Sequence, residues 1–545
     1  MIKPINHFSI ENIPGIYDEE SGTVLELVAR LTRLINEIIE DYNTKDGTLA
    51  RMDKTIKDIN TQLNGIGVTL GELVVGPLGF ATPQMFGAIG DGEADDTQAI
   101  RAAINSLSDH NAVLYFPPGV YLVTDDIELR SNMTVKGSGE ASVIKRAPND
   151  LTHYRVFRCR NISDVVLSDL CLLGDKETHT GEDGEWGNCI SLEGVRNVNI
   201  ERCYLMDGWG DGVYLGAGDG NLSNFYVNIR DTKITGNRRN GISVITVDGL
   251  TIDGCLISNT GGTEPGAGID FEPNELGQTA SNVKVTNTTF SGNSKDVLFA
   301  DTEQNLHFYK QVIFTACIFK SQVALDWRTP LTGETFAGGV VTFSGCQFDN
   351  SYRCIRITKS DKDTPITLTG CDLSCNGISI EVGESSKDYA GRTLGGVTLT
   401  NCRVHKNGNN PIVRGVGSNT IFNKITADLY TNKAIKAYGY FSGLATDVCL
   451  NFHDGVYQIG VSTEFDKYKV PSTIYISRNA DEETFLLNFK GDFPCGQVVR
   501  VINDGTMREL AVNYNDQEFL LGAGAHAFNF TLTPSDVAVV YGGAV

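Results

Sequence analysis

Residues 86–123 read FGAIGDGEADDTQAIRAAINSLSDHNAVLYFPPGVYLV, and this stretch decides the fold. After Gly87 the Asp91–Gly92 pair marks a turn, and Asp95 and Asp96 stand where they can cap a helix bearing Ala99, Ile100, Ala103, Ile104 and Leu107 on one face. A strand from Val113 to Phe116 follows. Pro117, Pro118 and Gly119 then turn the chain into a second strand, Val120 to Val123. The amphipathic helix is placed to plug the open end of whatever is built behind it.

What lies behind it is a repeat of the form apolar, x, apolar, x, x, Cys or Thr, x, apolar. It reads VNIERCYL at Val198, VNIRDTKI at Val227, LTIDGCLI at Leu250, VKVTNTTF at Val283, VIFTACIF at Val312, VTFSGCQF at Val341, ITLTGCDL at Ile366 and VTLTNCRV at Val397, with a weaker copy at Val165. Steps of 23 to 33 residues between copies fit one coil of a solenoid with loops of varying length. Alternation turns the apolar and Cys or Thr positions inward, so Cys203, Cys255, Cys317, Cys346, Cys371 and Cys402 form an internal packing column. An odd total of 13 cysteines without zinc-type spacing points to reduced, buried thiols.

Ahead of the helix, apolar residues recur at alternating three and four. Val28, Ile35, Tyr42, Leu49, Ile56 and Leu63 take heptad position a; Leu31, Ile38, Lys45, Met52, Ile59 and Ile66 take d, and only Lys45 breaks the seam. Ile at both positions favours three or more strands. A homotrimeric coiled coil is therefore expected, with a helical hairpin broken at Asp46 and Gly47 as the alternative.

The segment from Phe86 to Val123 resembles the opening of the pectate-lyase superfamily of right-handed parallel β-helices, and the order of stalk, helix and repeat resembles a bacteriophage tailspike or tail appendage. The segment IYDEESGTVLELVARLTRLINEIIEDYN also resembles the start of phage tail proteins. The resemblance implies a mainly β chain with five parts. These are a virion-attachment segment (1–22), a coiled-coil stalk (23–67), a neck linker (68–84), a right-handed β-helix (85–430) with its capping helix at about 96–107, and a C-terminal β-sandwich (431–545). It also makes Asp95 and Asp96 structural and assigns the sandwich to trimerisation or glycan binding. The implied partners are tail or baseplate proteins and host surface polysaccharide, and the implied location is the virion.

Composition narrows the function. The formal charge of −22 argues against a nucleic-acid partner, and no run of about 18 apolar residues exists to span a membrane. No export-signal pattern opens the sequence, which disfavours a free-standing secreted lyase.

Chemistry is read from a second strand series: NCISLEG, GDGVYLG, RNGISVI, GAGIDFEPN, KDVLFAD, VALDWR and RCIRIT. In GIDFEP, Ile269 and Phe271 point inward, so Asp270 and Glu272 share the outer face with Cα atoms about 6.8 Å apart. Paired carboxyls suit glycoside hydrolysis, one as proton donor and one as nucleophile or base. Aligned strands put Tyr214 and Ser243 in the column of Asp270, with Asp211 near one corner and Arg238 and Arg239 near the next. Asp270, Glu272, Asp211 and Arg239 are thus the candidate catalytic residues, and Trp186, Trp209, Tyr214 and Arg238 the candidate sugar-binding ones. The alternatives are β-elimination on a uronate with Arg239 or Tyr214 as base, and a non-catalytic adhesin. No cofactor is expected. Asp207 and Asp219 are read as turn residues, with Ca²⁺ as the minor alternative.

Overall fold

The computed structural model describes residues 80–431 except 110–111, 301–307, 329–340, 358–365, 384–392, 408–409 and 418–419, and beyond 431 it describes the backbone of strands. The expected attachment segment, the stalk and all of the linker before Phe80 lie outside the described residues.

The chain is a right-handed parallel β-helix. Each coil adds one strand to each of three faces. The first face carries the repeat motif, running from Arg196–Glu201 through Asn224–Arg230, Val247–Asp253 and Thr279–Thr286 and onward. The second is built from short strands such as Tyr204–Met206, Lys233–Thr235 and Leu256–Ser258. The third is a ladder of twelve parallel strands from Ile127–Glu128 to Gly439–Phe441.

The corner between the first two faces explains the motif. Its fifth position holds Arg202, Asp231, Gly254, Asn287, Ala316, Gly345, Gly370 and Asn401, all at left-handed φ between 48° and 65°. That conformation turns the next residue inward. There each Cys Sγ donates to a carbonyl two residues back, Cys203 to Glu201 O at 3.3 Å and Cys255 to Asp253 O at 3.4 Å. Thr232 and Thr288 make the same bond, at 2.8 and 2.9 Å. Cys and Thr therefore interchange because each is small and able to donate to the corner carbonyl. The described cysteines are buried free thiols.

The helix Thr97–Ser106 buries Ile100, Ala103 and Ile104 in the main core, as its spacing predicts. Its acids behave differently from simple caps. Asp96 precedes the helix, yet its carboxylate accepts from the N–H groups of Ile89 and Gly90, at 2.7 and 3.0 Å, and Asp95 takes the Thr97 N–H at 3.0 Å. Both tie the opening turn to the first coils. Farther along, rings stack from coil to coil, with Phe271 to Phe299 at 4.7 Å and Phe299 to Trp327 at 4.5 Å. This places a stiff aromatic core directly beneath the third face.

The coil ladders continue past 430: Val448–His453 pairs with Ile421–Tyr430, and Gly439–Phe441 with Val413–Gly415. After these come a five-stranded and a four-stranded sheet. Their first pairings are parallel and their last antiparallel, as in Ala525–Leu532 against Gln497–Asp504.

Candidate active site

The site grows from the register of the third face. With Ile269 and Phe271 in the core, Asp270 must point the other way. Parallel pairing without slippage aligns Ser191, Tyr214, Ser243, Asp270, Leu298, Asp326, Arg356, Glu381 and Arg414 in one column. Beside it runs a ladder of side-chain acceptors. The Oδ1 atoms of Asn188, Asp211 and Asn240 accept the backbone N–H of Asp211, Asn240 and Ala267, at 3.0, 3.0 and 2.9 Å. An amide suffices on either side of Asp211. The negative charge at Asp211 is thus not required by the ladder.

Arg239 uses that charge. Its guanidinium donates to Glu272 Oε2 at 2.9 Å and Ser243 Oγ at 3.2 Å, and lies 3.4 Å from Asp211 Oδ2 and 3.3 Å from Glu185 Oε2. Asn240 Nδ2 donates to Ser243 Oγ at 3.0 Å and Asp270 Oδ2 at 3.1 Å, which joins Asp270 to the same network. Four carboxyl groups thus surround one cation.

Burial shifts the two aspartates of this group. Burial, reinforced by the Glu272 charge and only partly opposed by Arg239, drives the Asp270 carboxyl well above the usual range. Its Oδ1 is buried and, among the described residues, has no hydrogen-bond partner. Burial also raises Asp211 to about 6, with Arg239 and Ser243 pulling the other way. For Arg239 itself burial opposes the charge, but Asp211, Asp270 and Glu272 outweigh it and hold the guanidinium protonated. Tyr214 is raised to about 12, first by burial and then by Asp211 and Glu193. Its ring lies where a side chain on Gly216 would sit, since a Cβ there would fall 2.3 Å from Tyr214 Cε1.

Several expectations need correction. Asp270 occupies the outward column but is fully buried, with Asn240 bonded to its carboxylate; Glu272 keeps 28% of its side chain exposed. Trp209 offers no free face to a sugar. His179 stacks on it at 3.9 Å and the Arg238 guanidinium lies 3.8 Å from its centroid, and two groups so close cannot share one face. Arg238 is further held by the Gly184 carbonyl at 2.6 Å. The pair clamps a loop, while Trp186, 48% exposed beside Glu185, keeps its platform free. Asp219 is bound to Arg160 and Asn161.

A cleft of about 890 Å³ opens on this face. Glu185, Arg239, Asp270 and Glu272 line one end and Lys295, Arg328, Arg353 and Arg356 the other, with the exposed Tyr352 ring beside them. Sequence reasoning missed Glu185, Asn240 and this basic end. Following the Asp270 column onward through VALDWR and RCIRIT would have found Asp326 and Arg356. Among the described residues no group of three or more His, Cys, Asp or Glu is arranged to hold a metal. In the hub a guanidinium stands amid the carboxyls.

Two family descriptions match the chain: rhamnogalacturonase A/epimerase, pectate lyase-like, over residues 84–164, and right handed beta helix region over 188–325. The Bacillus subtilis protein YclG is 27% identical over 239 residues, 38% of this chain and 41% of that protein. The pre-neck appendage protein of Bacillus phage B103 is 22% identical over 291 residues, 45% of this chain and 32% of its own. The capsule K30/K69-specific depolymerase of Klebsiella phage K64-1 is 41% identical over 76 residues, 14% of this chain and 10% of its own. The chain therefore spans less than half the length of these relatives.

Proposed function

We propose that this chain is a phage tail appendage whose β-helix binds host surface polysaccharide and cleaves it by glycoside hydrolysis. The observation that carries the chemistry is the pairing of a fully buried carboxyl with a partly exposed one two residues apart. Asp270 is held protonated by burial and serves as proton donor, and Glu272, oriented by Arg239, serves as nucleophile or base. Asp211 and Glu185 position Arg239. The appendage reading draws on the likeness to a phage pre-neck appendage protein and a capsule depolymerase.

The elimination alternative is weaker on electrostatic grounds. Arg239 is locked in its charged form and the Tyr214 phenol titrates near 12, so neither is a ready base at neutral pH. One observation favours a second reading, that of a non-catalytic adhesin: Asp211 and Asp270 are both 0% exposed.

Incubation with a panel of bacterial surface polysaccharides tests these readings. Hydrolysis releases reducing ends without unsaturated product, and Asp270→Asn or Glu272→Gln lowers the rate about 10²-fold or more. Ultraviolet-absorbing unsaturated ends would refute hydrolysis. Binding without any cleavage would establish the adhesin.

A further inference from the structure

The cleft is electrically two-sided, although the whole chain carries a formal charge of −22. Around its carboxyl end, Glu185, Asp211, Asp270 and Glu272 face Arg239. Two to three coils farther on, the balance reverses. The Asp326 carboxylate is shared by Arg328 at 2.7 Å and Arg356 at 2.5 Å, and Glu381 by Arg353 at 3.1 Å and Arg414 at 3.8 Å. Lys295 meets Glu264 at 3.1 Å. Arg414 lies outside the cleft, so among the described residues the four lining cations Lys295, Arg328, Arg353 and Arg356 face the three acids Glu264, Asp326 and Glu381, and positive charge prevails by one.

The surplus is held in place. Asp326 is fully buried, and two guanidinium groups on one carboxylate bring its proton affinity down despite that burial. Rigid packing beneath, through Phe299 and Trp327, keeps the strand from yielding. Arg328 keeps 34% of its side chain exposed, and Arg353 lies 4.2 Å over the Tyr352 ring, which is itself 51% exposed. Planar donors fixed beside an aromatic face match a sugar bearing an anionic substituent. In a protein whose overall field repels polyanions, local cations of this kind answer to a charged ligand.

We propose that Arg328, Arg353 and Arg356 form a subsite for an anionic group, a carboxylate or a phosphodiester, carried by the polysaccharide about 10 to 14 Å along the helix axis from Asp270, the reach of two to three coil spacings. The inference rests on the polysaccharide reading and specifies its substrate class.

The test measures retention of the full-length protein on immobilised bacterial polysaccharides. The panel holds neutral, carboxylated and phosphodiester-linked polymers, the carboxylated ones also after carbodiimide and borohydride reduction. The expected result is retention of anionic polymers only. Arg328→Gln and Arg353→Gln each weaken binding about tenfold or more, as loss of a charged hydrogen bond predicts. Arg328→Lys recovers part of the loss, and Arg160→Gln, on a distant coil, leaves binding unchanged. Loss of retention on carboxyl reduction assigns the group as carboxylate. Retention confined to phosphodiester polymers assigns phosphate. Retention of a neutral polymer, or wild-type binding by both Gln variants, would overturn the subsite and leave the polysaccharide reading intact. Retention of no polymer by the folded protein would overturn both.

Discussion

Asp211→Asn should make the β-helix more stable and the proposed hydrolysis slower. Asp211 lies between Asn188 and Asn240 in a ladder where each side-chain oxygen accepts a backbone N–H, so an amide reproduces its structural bond to Asn240. Burial raises its folded-state pKa from 3.8 to about 6. The folded protein therefore binds this proton more tightly than the unfolded chain, and wild-type stability is lost as pH rises from about 4 through 6. A shift of about 2 units corresponds to roughly 3 kcal/mol once the group is ionised. Denaturant midpoints followed by tryptophan fluorescence, for both proteins near pH 4 and pH 8, isolate this contribution. The two should be equal within about 1 kcal/mol in acid, and the variant should gain up to about 3 kcal/mol at pH 8. Turnover should fall at least about tenfold, because Arg239 loses one of the charges that orient it. A variant less stable than wild type at pH 8 would refute the reasoning.

Three further variants follow from the same physics. Asp326→Asn, with the opposite sign, should cost about 3 to 5 kcal/mol near neutral pH by leaving Arg328 and Arg356 facing each other. Because the folded pKa of Asp326 is lowered, its contribution is present above the unfolded value and is lost as pH falls, so acid should narrow the gap from wild type in denaturant midpoints. Ala316→Gly should stabilise by about 0.5 to 1 kcal/mol, since φ is 52° there, and Gly345→Ala should destabilise by a similar amount because a Cβ meets nothing within 4 Å and only the backbone conformation at 58° resists it. Paired midpoints for the two variants check both signs.

The coils were legible because alternation and a Cys or Thr at a fixed offset recur in the eight copies from Val198 to Val397, and the same alternation placed Asp270 opposite Ile269 and Phe271. Its burial was not legible. The group bonded to it, Asn240, comes from a turn on the preceding coil, and its reach depends on a ladder of hydrogen bonds rather than on any local pattern. Trp209 read as a sugar platform because its stacking partner His179 lies in an irregular loop 30 residues upstream. The left-handed corner was likewise hidden, since Arg202 and Ala316 fill it as well as Gly and Asn do. The basic end stood in segments already recognised as strands, but its meaning needed the register carried three coils past Asp270.

Parallel pairing without slippage gives this protein a built-in ruler. One residue per coil enters each column, so the gap between carboxyl hub and arginine cluster is quantised in steps of about 4.8 Å. Adding or removing a whole coil between Ala267–Phe271 and Val323–Trp327 would change that gap by one graduation while leaving both chemistries untouched. Spacing and reactivity are thereby separately adjustable on a single rigid scaffold.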